Sequence, residues 1–263
     1  MADTRTLEQL RQHYEIEKEL ANRLRNATKE ERRTLFGEVY DEMFRRVPLH
    51  PQHVQKQSPE IKAASVARQY QFLKRFIKPS DTYLEVGAGD CAVALEMTKH
   101  VKQVYAVDVS DEVTKGFTPP SNFKLILSDG TSIPVPPNSV QVAYSNQLME
   151  HLHPDDALEQ LQNIYHALSP GGRYVCITPS RLSGPHDVSE AFDSVATGFH
   201  LKEYTVTELK PLFKKVGFAK CSFYVMAKNF VVRMPMFAIL AFEALLNALP
   251  RSLSVRIARN PVL

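Results

Sequence analysis

The chain has 263 residues and a formal net charge of +3, from 32 lysines and arginines against 29 aspartates and glutamates. This length buries one substantial core with helical additions, so several independent domains are not required. So small a positive surplus is no signature of a nucleic-acid surface, and we expect no nucleic-acid partner. The cysteines, Cys91, Cys176 and Cys221, show no metal-ligand spacing, and we expect them to be reduced and buried.

The N-terminal part of the chain predicts helices without sheet signals. Apolar residues recur at helical spacing from Leu7 to Leu24, and Thr28 to Glu31 form a capping box that opens a second helix. Apolar residues from Leu35 to Val47 form a stripe along one face of that second helix. Ser58-Pro59-Glu60 then starts a third helix that we expect to end near Phe76.

A short apolar strand, Tyr83 to Val86, runs into a glycine turn, and Glu85 stands two places before Gly87. Glycine at Gly87 and Gly89 lets a bulky ligand lie against the main chain, because a Cβ there would occupy the ligand's volume. A second buried strand ends in Asp108, a carboxylate placed to accept hydrogen bonds from two ribose hydroxyls. This pattern predicts a nucleotide-type pocket.

The glycines alone do not identify the ligand, because Gly87-x-Gly89-x-x-Ala92 also fits the dinucleotide fingerprint of NAD-dependent oxidoreductases. The later strands separate the alternatives. A third strand ends in Asp129-Gly130, where a carboxylate and a free backbone amide suit an adenine edge, and a fourth, Val140 to Asn146, ends in polar groups. A fifth strand is expected from Arg173 to Thr178. Strand, turn and helix alternate here, which predicts a parallel sheet with its ligand at the carboxyl ends of the strands.

These motifs, in this order, resemble the class I S-adenosylmethionine-dependent methyltransferases over about residues 79 to 230. The resemblance implies a Rossmann-like, doubly wound, mostly parallel seven-stranded sheet that closes with an antiparallel hairpin. It also implies S-adenosylmethionine as the cofactor, with each part held by residues at strand ends. The methionine end would meet Glu85, Gly87 and Gly89, the ribose Asp108, the adenine Asp129 and Gly130, and the sulfonium Asn146.

Three segments are expected from this reading. Residues 1–78 form an N-terminal helical cap, residues 79–233 the cofactor-binding core, and residues 234–263 a C-terminal helical extension. We expect residues 28–47 to close over cofactor and acceptor as a lid, the alternative being that they only cover the sheet. The connection from Pro179 to Tyr204 is longer than such links need to be, and we expect it to wall the substrate pocket.

The sulfonium supplies an activated methyl group, so the protein has to align a nucleophile and exclude water. The candidate catalytic residues follow the fourth strand: His151 as a general base, oriented by Glu150. Gln147-x-x-Glu150-His151 also resembles the Glu-x-x-Glu-His element of ubiquinone-pathway and small-RNA O-methyltransferases, with His200 as a further ligand. Because Gln147 replaces a carboxylate and weakens a Mg²⁺ site, we expect no metal.

The expected function is methyl transfer from S-adenosylmethionine to oxygen, nitrogen or carbon of a small-molecule acceptor. An NAD-dependent oxidoreductase and a catalytically silent nucleotide-binding or scaffold protein are the alternatives. The charged start of the chain marks no export, and the apolar run from Met236 to Leu249 is short for a bilayer, so we expect a cytoplasmic protein without integral membrane association. We expect that run to pack on the core or in a homodimer.

Overall fold

The computed structural model describes residues 5–48, 58–110, 118–227 and 230–259. Met1 to Thr4 lie outside these ranges. They are part of the charged N-terminal segment from which we expect no export. The chain forms two compact units. The sheet unit takes in Asn26–Met149 and Asp155–Ile177, and the second unit takes in Met1–Arg25, Glu150–Pro154 and Thr178–Leu263.

The helices of the N-terminal part form where the sequence predicts them. They are α1 (Leu7–Asn26), α2 (Lys29–Arg46) and α3 (Pro59–Leu73). Thr28 and Glu31 make both hydrogen bonds of the predicted capping box, and Ser58 caps α3 through its hydroxyl. In the sheet unit Arg32 of α2 makes a buried bidentate ion pair with Asp156, with Nε–Oδ2 at 2.5 Å and Nη2–Oδ1 at 2.8 Å.

The central sheet has five parallel strands in the order β3-β2-β1-β4-β5. They are β1 (Thr82–Val86), β2 (Gln103–Asp108), β3 (Phe123–Leu127), β4 (Val140–Asn146) and β5 (Leu168–Ile177). The helices between them are α4 (Ala92–Met97) and α5 (Pro154–Ala167). Tyr83, Val104 and Tyr144 are fully buried in its core, as expected for strands covered on both faces. The strand order reverses at β1, and the carboxyl ends of the strands beside such a reversal are where open α/β sheets bind ligands.

The predicted Rossmann-like, mostly parallel sheet is confirmed, but its seven strands are not: among the described residues the central sheet has five strands. The last two strands, β6 (Phe223–Ala227) and β7 (Phe230–Met234), pair with each other as an antiparallel hairpin. A hairpin pairs locally, and so satisfies backbone groups without a place in the central sheet. The fifth strand also begins at Leu168, five residues before the predicted start, with a register irregularity between Val140 and Val142.

The second unit contains three further helices, α6 (Val206–Val216), α7 (Met236–Ala248) and α8 (Arg251–Ala258). The predicted capping box at Thr205 and Glu208 starts α6, and Gly217 ends it at φ 123°. Buried Glu243 of α7 accepts hydrogen bonds from the amides of Val206 and Thr207, each at 2.7 Å. A carboxylate at this helix N-terminus is favourable because the helix dipole is positive there. Among the described helices, none is long and apolar enough to cross a bilayer.

Candidate functional site

Glu85 is a buried carboxylate in β1, with 6% of its surface exposed. Burial raises its pKa to about 8, the charges of Asp90 and Asp108 act in the same direction, and a hydrogen bond from the Ala94 amide opposes them. Among the described residues, none donates a hydrogen bond to Glu85 Oε2. A buried oxygen without a donor is costly, so this position suits a ligand that brings a donor or a positive charge.

The two predicted glycines have different reasons to be glycine. Both have positive φ, +69° at Gly87 and +52° at Gly89, where other residues are strained. A Cβ on Gly87 would lie 2.9 Å from Leu148 Cδ1, so this glycine permits close packing. A Cβ on Gly89 would meet no heavy atom of the described residues within 4 Å. Gly89 is therefore the glycine that faces open space.

Asp108 is held by the backbone at the end of β2. Its Oδ2 accepts a 2.7 Å hydrogen bond from the Gly89 amide. Its Oδ1 accepts from the amides of Val109 at 2.8 Å and Ser110 at 3.2 Å. A carboxylate has about four lone-pair sites, so Asp108 still has capacity for a hydroxyl. The side chain is half-buried and fixed in orientation, as a ribose-binding residue requires.

Asp129 and Gly130 belong to the loop after β3 rather than to the strand. Asp129 Oδ1 accepts from Thr131 N at 3.1 Å and from Ser132 N at 2.8 Å. Burial alone would raise the pKa of Asp129, but the hydrogen bonds from Ser132 and Thr131 outweigh it and lower the pKa to about 2. The Gly130 amide, expected to be free, donates to Ser128 Oγ at 3.1 Å. This loop is thus organised by its own hydrogen bonds, and Asp129 is ionised.

Asn146 is the last residue of β4 and lies opposite Ile177 of β5. The next residue, Gln147, has φ +53°, and its amide donates to the Ile177 carbonyl at 2.8 Å. The predicted polar groups therefore lie at the carboxyl ends of neighbouring strands or in the loops that follow them, in the strand order β3, β2, β1, β4. Parallel strands present their carboxyl ends at one edge, so the sheet brings these groups together.

This edge of the sheet unit fits S-adenosylmethionine. The buried, unpartnered Glu85 oxygen matches an ammonium group, and the open space at Gly89 leaves room beside the backbone. Asp108 matches vicinal hydroxyls, which need an acceptor.

The second unit brings together Glu150, His151 and His200. One ligand atom from each lies within 4.8 Å of the other two. Glu150 and His151 occupy a single turn of 3₁₀ helix, Met149–His151, and the rings of His151 and His200 meet edge to face with centroids 4.9 Å apart. The sequence predicted Glu150 and His151 as a pair and named His200 with them through a resemblance, and the structure brings all three together.

Hydrogen bonds fix the orientation of both histidines. His151 Nδ1 lies 3.1 Å from the Phe199 carbonyl, and His200 Nδ1 lies 2.8 Å from Glu203 Oε1. Burial lowers the pKa of His151 to about 4, and the charge of His200 adds to this. Burial also acts to lower the pKa of His200, but the hydrogen bond to Glu203 and the charge of Asp187 raise it overall.

Two buried carboxylates in the second unit were given no role from the sequence. Glu203 accepts from the His186 amide at 2.7 Å as well as from His200. Glu17 accepts from the Phe199 amide at 2.8 Å, and so holds the residue whose carbonyl contacts His151. Glu203 stands three places after His200, a spacing visible in the sequence. Glu17 lies in α1, distant in sequence from Phe199, and no spacing in the sequence links the two residues.

The family profile described as a methyltransferase domain matches residues 54–222, well over half of the chain. A carboxy-S-adenosyl-L-methionine synthase of Vibrio atlanticus is 24% identical over 187 residues, which cover 60% of this chain and 76% of that protein. The solved structure of a SAM-dependent methyltransferase from Archaeoglobus fulgidus has a TM-score of 0.51 at 18% identity, and covers 64% of this chain and 73% of the other.

A second solved structure is phosphoethanolamine N-methyltransferase 1 of Haemonchus contortus, in complex with phosphoethanolamine and S-adenosylhomocysteine. It has a TM-score of 0.51 at 16% identity, and covers 70% of this chain and 40% of the other. At these identities the two structures establish the fold.

Proposed function

The chain belongs to the methyltransferase-domain family and is an S-adenosylmethionine-dependent methyltransferase, and we propose that its methyl acceptor is a small molecule, methylated at oxygen, nitrogen or carbon. The observation that carries the cofactor assignment within this chain is the set formed by Glu85, Gly89 and Asp108. A buried carboxylate oxygen without a donor, an open glycine and a fixed carboxylate stand at adjacent strand ends.

The cofactor residues have separate roles in this proposal. Glu85 binds the ammonium of the methionine end, Gly87 and Gly89 shape the turn, and Asp108 binds the ribose. Asp129 and Gly130 hold the adenine, and Asn146 lies beside the sulfonium. When bound, S-adenosylmethionine supplies a methyl group on a good leaving group, so the protein itself needs no nucleophile.

The connection from Pro179 to Tyr204 supports a small acceptor. Two carboxylates hold it: Asp187 Oδ2, within the connection, accepts from the Gly198 amide at 3.0 Å, and Glu17 of α1 accepts from the Phe199 amide. Leu182, Ser189 and Phe199 of this connection are buried, so it is packed like a wall rather than solvated like a surface loop. A preformed wall rich in polar groups suits a compact polar ligand.

Glu150 and His151 are the proposed catalytic residues. Because burial lowers the pKa of His151 to about 4, its ring is neutral near pH 7 and has a lone pair for an acceptor hydroxyl or amine. His151→Ala should lower the methylation rate by about 10²–10⁴-fold with unchanged affinity for S-adenosylhomocysteine. His166→Ala, a matched change at an exposed histidine of α5, should leave the rate unchanged. A loss below about tenfold in His151→Ala would point to positioning instead.

The experiment that tests the acceptor class uses the full chain, S-adenosylmethionine and a small-molecule fraction of a cell extract. Mass spectrometry should detect a product one methylene heavier than its substrate, and S-adenosylhomocysteine should accumulate with it. Asp108→Ala should form less of both when S-adenosylmethionine is below saturation. Methylation only of macromolecules in an unfractionated extract would overturn the small-molecule assignment, and no methylation of any component would favour a silent binding protein.

We also propose a homodimer that uses α7. On this apolar helix, the side chains of Phe237 and Leu245 are 77% and 57% exposed. Burying such side chains against a second copy is favourable by the hydrophobic effect. Light scattering after size exclusion should give twice the chain mass, and Phe237→Glu should shift the protein to the monomer. A monomeric parent chain would overturn the proposal.

A further inference from the structure

In the second unit, two arginines of the C-terminal helix α8 and its cap hold one short segment of the chain, residues 181–185. Arg251 donates hydrogen bonds to the carbonyls of Arg181, Leu182 and Gly184 at 2.8, 3.4 and 2.9 Å. Arg259 donates to the carbonyls of Ser183 and Pro185 at 2.6 and 3.2 Å. Every carbonyl from residue 181 to residue 185 therefore accepts a hydrogen bond from one of these two side chains.

The two arginines are suited to this contact by their place in α8. Arg251 is the first residue of the helix and Arg259 is its C-cap. Residues about two turns apart lie on the same face of a helix, so both side chains leave α8 on one side. Each guanidinium carries several N–H donors in a planar fork, and one side chain therefore serves more than one carbonyl. The 181–185 segment is thus held by a single face of α8.

The 181–185 segment packs directly against Glu203, which is buried. A Cβ on Gly184 would lie 1.9 Å from Glu203 Oε2, so any larger residue at this position would displace the carboxylate. The other oxygen, Glu203 Oε1, accepts a hydrogen bond at 2.7 Å from the amide of His186, the residue that follows the segment. The position of the segment therefore fixes the position of the Glu203 carboxylate.

Glu203 is linked in turn to the proposed catalytic pair, Glu150 and His151. Glu203 Oε1 accepts from His200 Nδ1 at 2.8 Å, and the rings of His200 and His151 meet edge to face with centroids 4.9 Å apart. The amide of Lys202, next to Glu203, donates to the Glu150 carbonyl at 3.1 Å. A displacement of Glu203 is passed by these contacts to both residues of the pair.

We propose that Arg251 and Arg259 are positioning residues for methyl transfer. They act through the 181–185 segment on Glu203, and through Glu203 on the catalytic pair. The inference rests on the proposed function, because it needs this pair to carry out the reaction. Displacing a catalytic group by about 1 Å can lower a rate by about 100-fold, so a helix that touches neither cofactor nor acceptor controls the rate in this way.

The pKa of His200 reports where Glu203 lies. Burial acts to lower this pKa, while the hydrogen bond to Glu203 and the charges of Asp187 and Glu150 raise it overall. NMR titration of the full chain with isotope-labelled histidine rings measures it without any methyl acceptor, and the His200→Gln variant identifies the signal. Loss of the Glu203 contact should lower the pKa by about one pH unit.

The arginine variants and their control come from the same helix. Arg251→Ala and Arg259→Ala should each lower the pKa of His200. Arg256→Ala removes an exposed arginine from a different face of α8 and should leave this pKa unchanged. Arg251→Lys keeps the positive charge but not the planar fork, so it should behave like Arg251→Ala.

The rate of S-adenosylhomocysteine formation tests the effect on the reaction, with the small-molecule fraction of a cell extract as the source of acceptor. Arg251→Ala and Arg259→Ala should each lower the maximal rate by about 10–100-fold, with the KM for S-adenosylmethionine unchanged. Gly184→Ala keeps both arginines but displaces the Glu203 carboxylate, and should lower the rate similarly. Arg256→Ala should change neither the rate nor the KM.

Two measurements separate positioning from a general loss of stability. Residues that act through one set of contacts are not additive, so Arg251→Ala combined with Glu203→Gln should be no slower than the slower single variant. Guanidinium chloride below its denaturing range should partly restore the rate of Arg251→Ala, because the ion replaces the missing side chain. A variant that had only lost stability would lose more activity in this denaturant.

The proposal is overturned by either of two results. An unchanged pKa of His200 in both arginine variants would show that α8 does not position Glu203, and additive losses in the double variant would show that Arg251 and Glu203 act separately. If circular dichroism shows that Arg251→Ala has not folded, Arg251→Lys and Gly184→Ala decide the question. A parent chain that forms no S-adenosylhomocysteine would contradict the proposed function instead, and the histidine titration distinguishes the two failures.

Discussion

The amide of Gly89 donates a 2.7 Å hydrogen bond to Oδ2 of Asp108, and this bond joins the glycine turn after β1 to the carboxylate that ends β2. The two residues are the halves of the nucleotide pocket that the sequence indicates. Their contact shows that the pocket is organised by the protein's own backbone. It also means that Asp108 supports the turn as well as the proposed ribose contact.

Asp108→Ala should weaken S-adenosylhomocysteine binding by at least about tenfold, because a charge-assisted hydrogen bond contributes about 1.5–3 kcal/mol. Isothermal titration measures the affinity, and titration with NAD should show no binding to the parent chain. Asp41→Ala, at an exposed position of α2, is the matched control. Thermal melting without ligand separates damage to the turn from loss of the ribose contact. Equal affinities of Asp108→Ala and the parent chain would rule out the ribose assignment.

The stability of the ligand-free protein should fall between about pH 4.5 and pH 8 because of Glu85. Its folded-state pKa of about 8 lies above the ordinary value of 4.5, so the folded protein binds more protons than the unfolded chain within this window. The penalty of burying the charge is absent below the window, grows as the pH rises through it, and is complete above about pH 8.

Urea unfolding at several pH values checks this dependence. The Glu85→Gln variant cannot ionise at this position. The difference in unfolding free energy between parent and variant should therefore change by on the order of a few kcal/mol across the window. Other groups contribute equally to both proteins and cancel in the difference. Parallel pH profiles of parent and variant would show that Glu85 does not titrate in this range.

Arg32→Ala should destabilise the protein by about 3–5 kcal/mol, because it leaves the buried Asp156 carboxylate without its partner. The side chains of Arg32 and Asp156 are only 6% and 11% exposed, and their contact is bidentate. Arg33→Ala is the control. The Arg33 side chain, next to Arg32 in sequence, is 51% exposed, and its loss should lower the free energy of unfolding by less than about 1 kcal/mol. Chemical denaturation measures both, and similar losses would contradict the prediction.

Hydrogen exchange in residues 28–47 and in Pro179–Tyr204 should slow when S-adenosylhomocysteine is added. We expect residues 28–47 to act as a lid, and lids are drawn from the less stable parts of a fold. Pro179–Tyr204, the proposed wall of the pocket, should open less often when ligand is bound against it. Exchange followed by mass spectrometry resolves the segments, and α8 serves as an internal reference that should not change. Protection confined to the peptides around Gly87 and Asp108 would mean that neither segment responds to the cofactor.

The sequence by itself determined the elements that depend on local rules. Capping boxes at Thr28 and Thr205 place helix starts correctly, because their hydrogen bonds span only three residues. The strand ends that carry Asp108 and Asn146 are equally local, since each strand stops at a polar residue, and Glu85 stands next to the last residue of β1. A parallel sheet places such strand ends at one edge, so the position of the cofactor pocket can be predicted from the sequence.

Only the tertiary structure decided the contacts between residues that are distant in the chain. Arg32 and Asp156 are 124 positions apart, and no periodicity links them. The sequence named His200 beside Glu150 and His151 only through a resemblance, and the connection after β5, which folds back within the second unit, brings the three side chains together. The expectation that β6 and β7 complete a seven-stranded sheet came from the resemblance, and among the described residues the two strands pair only with each other.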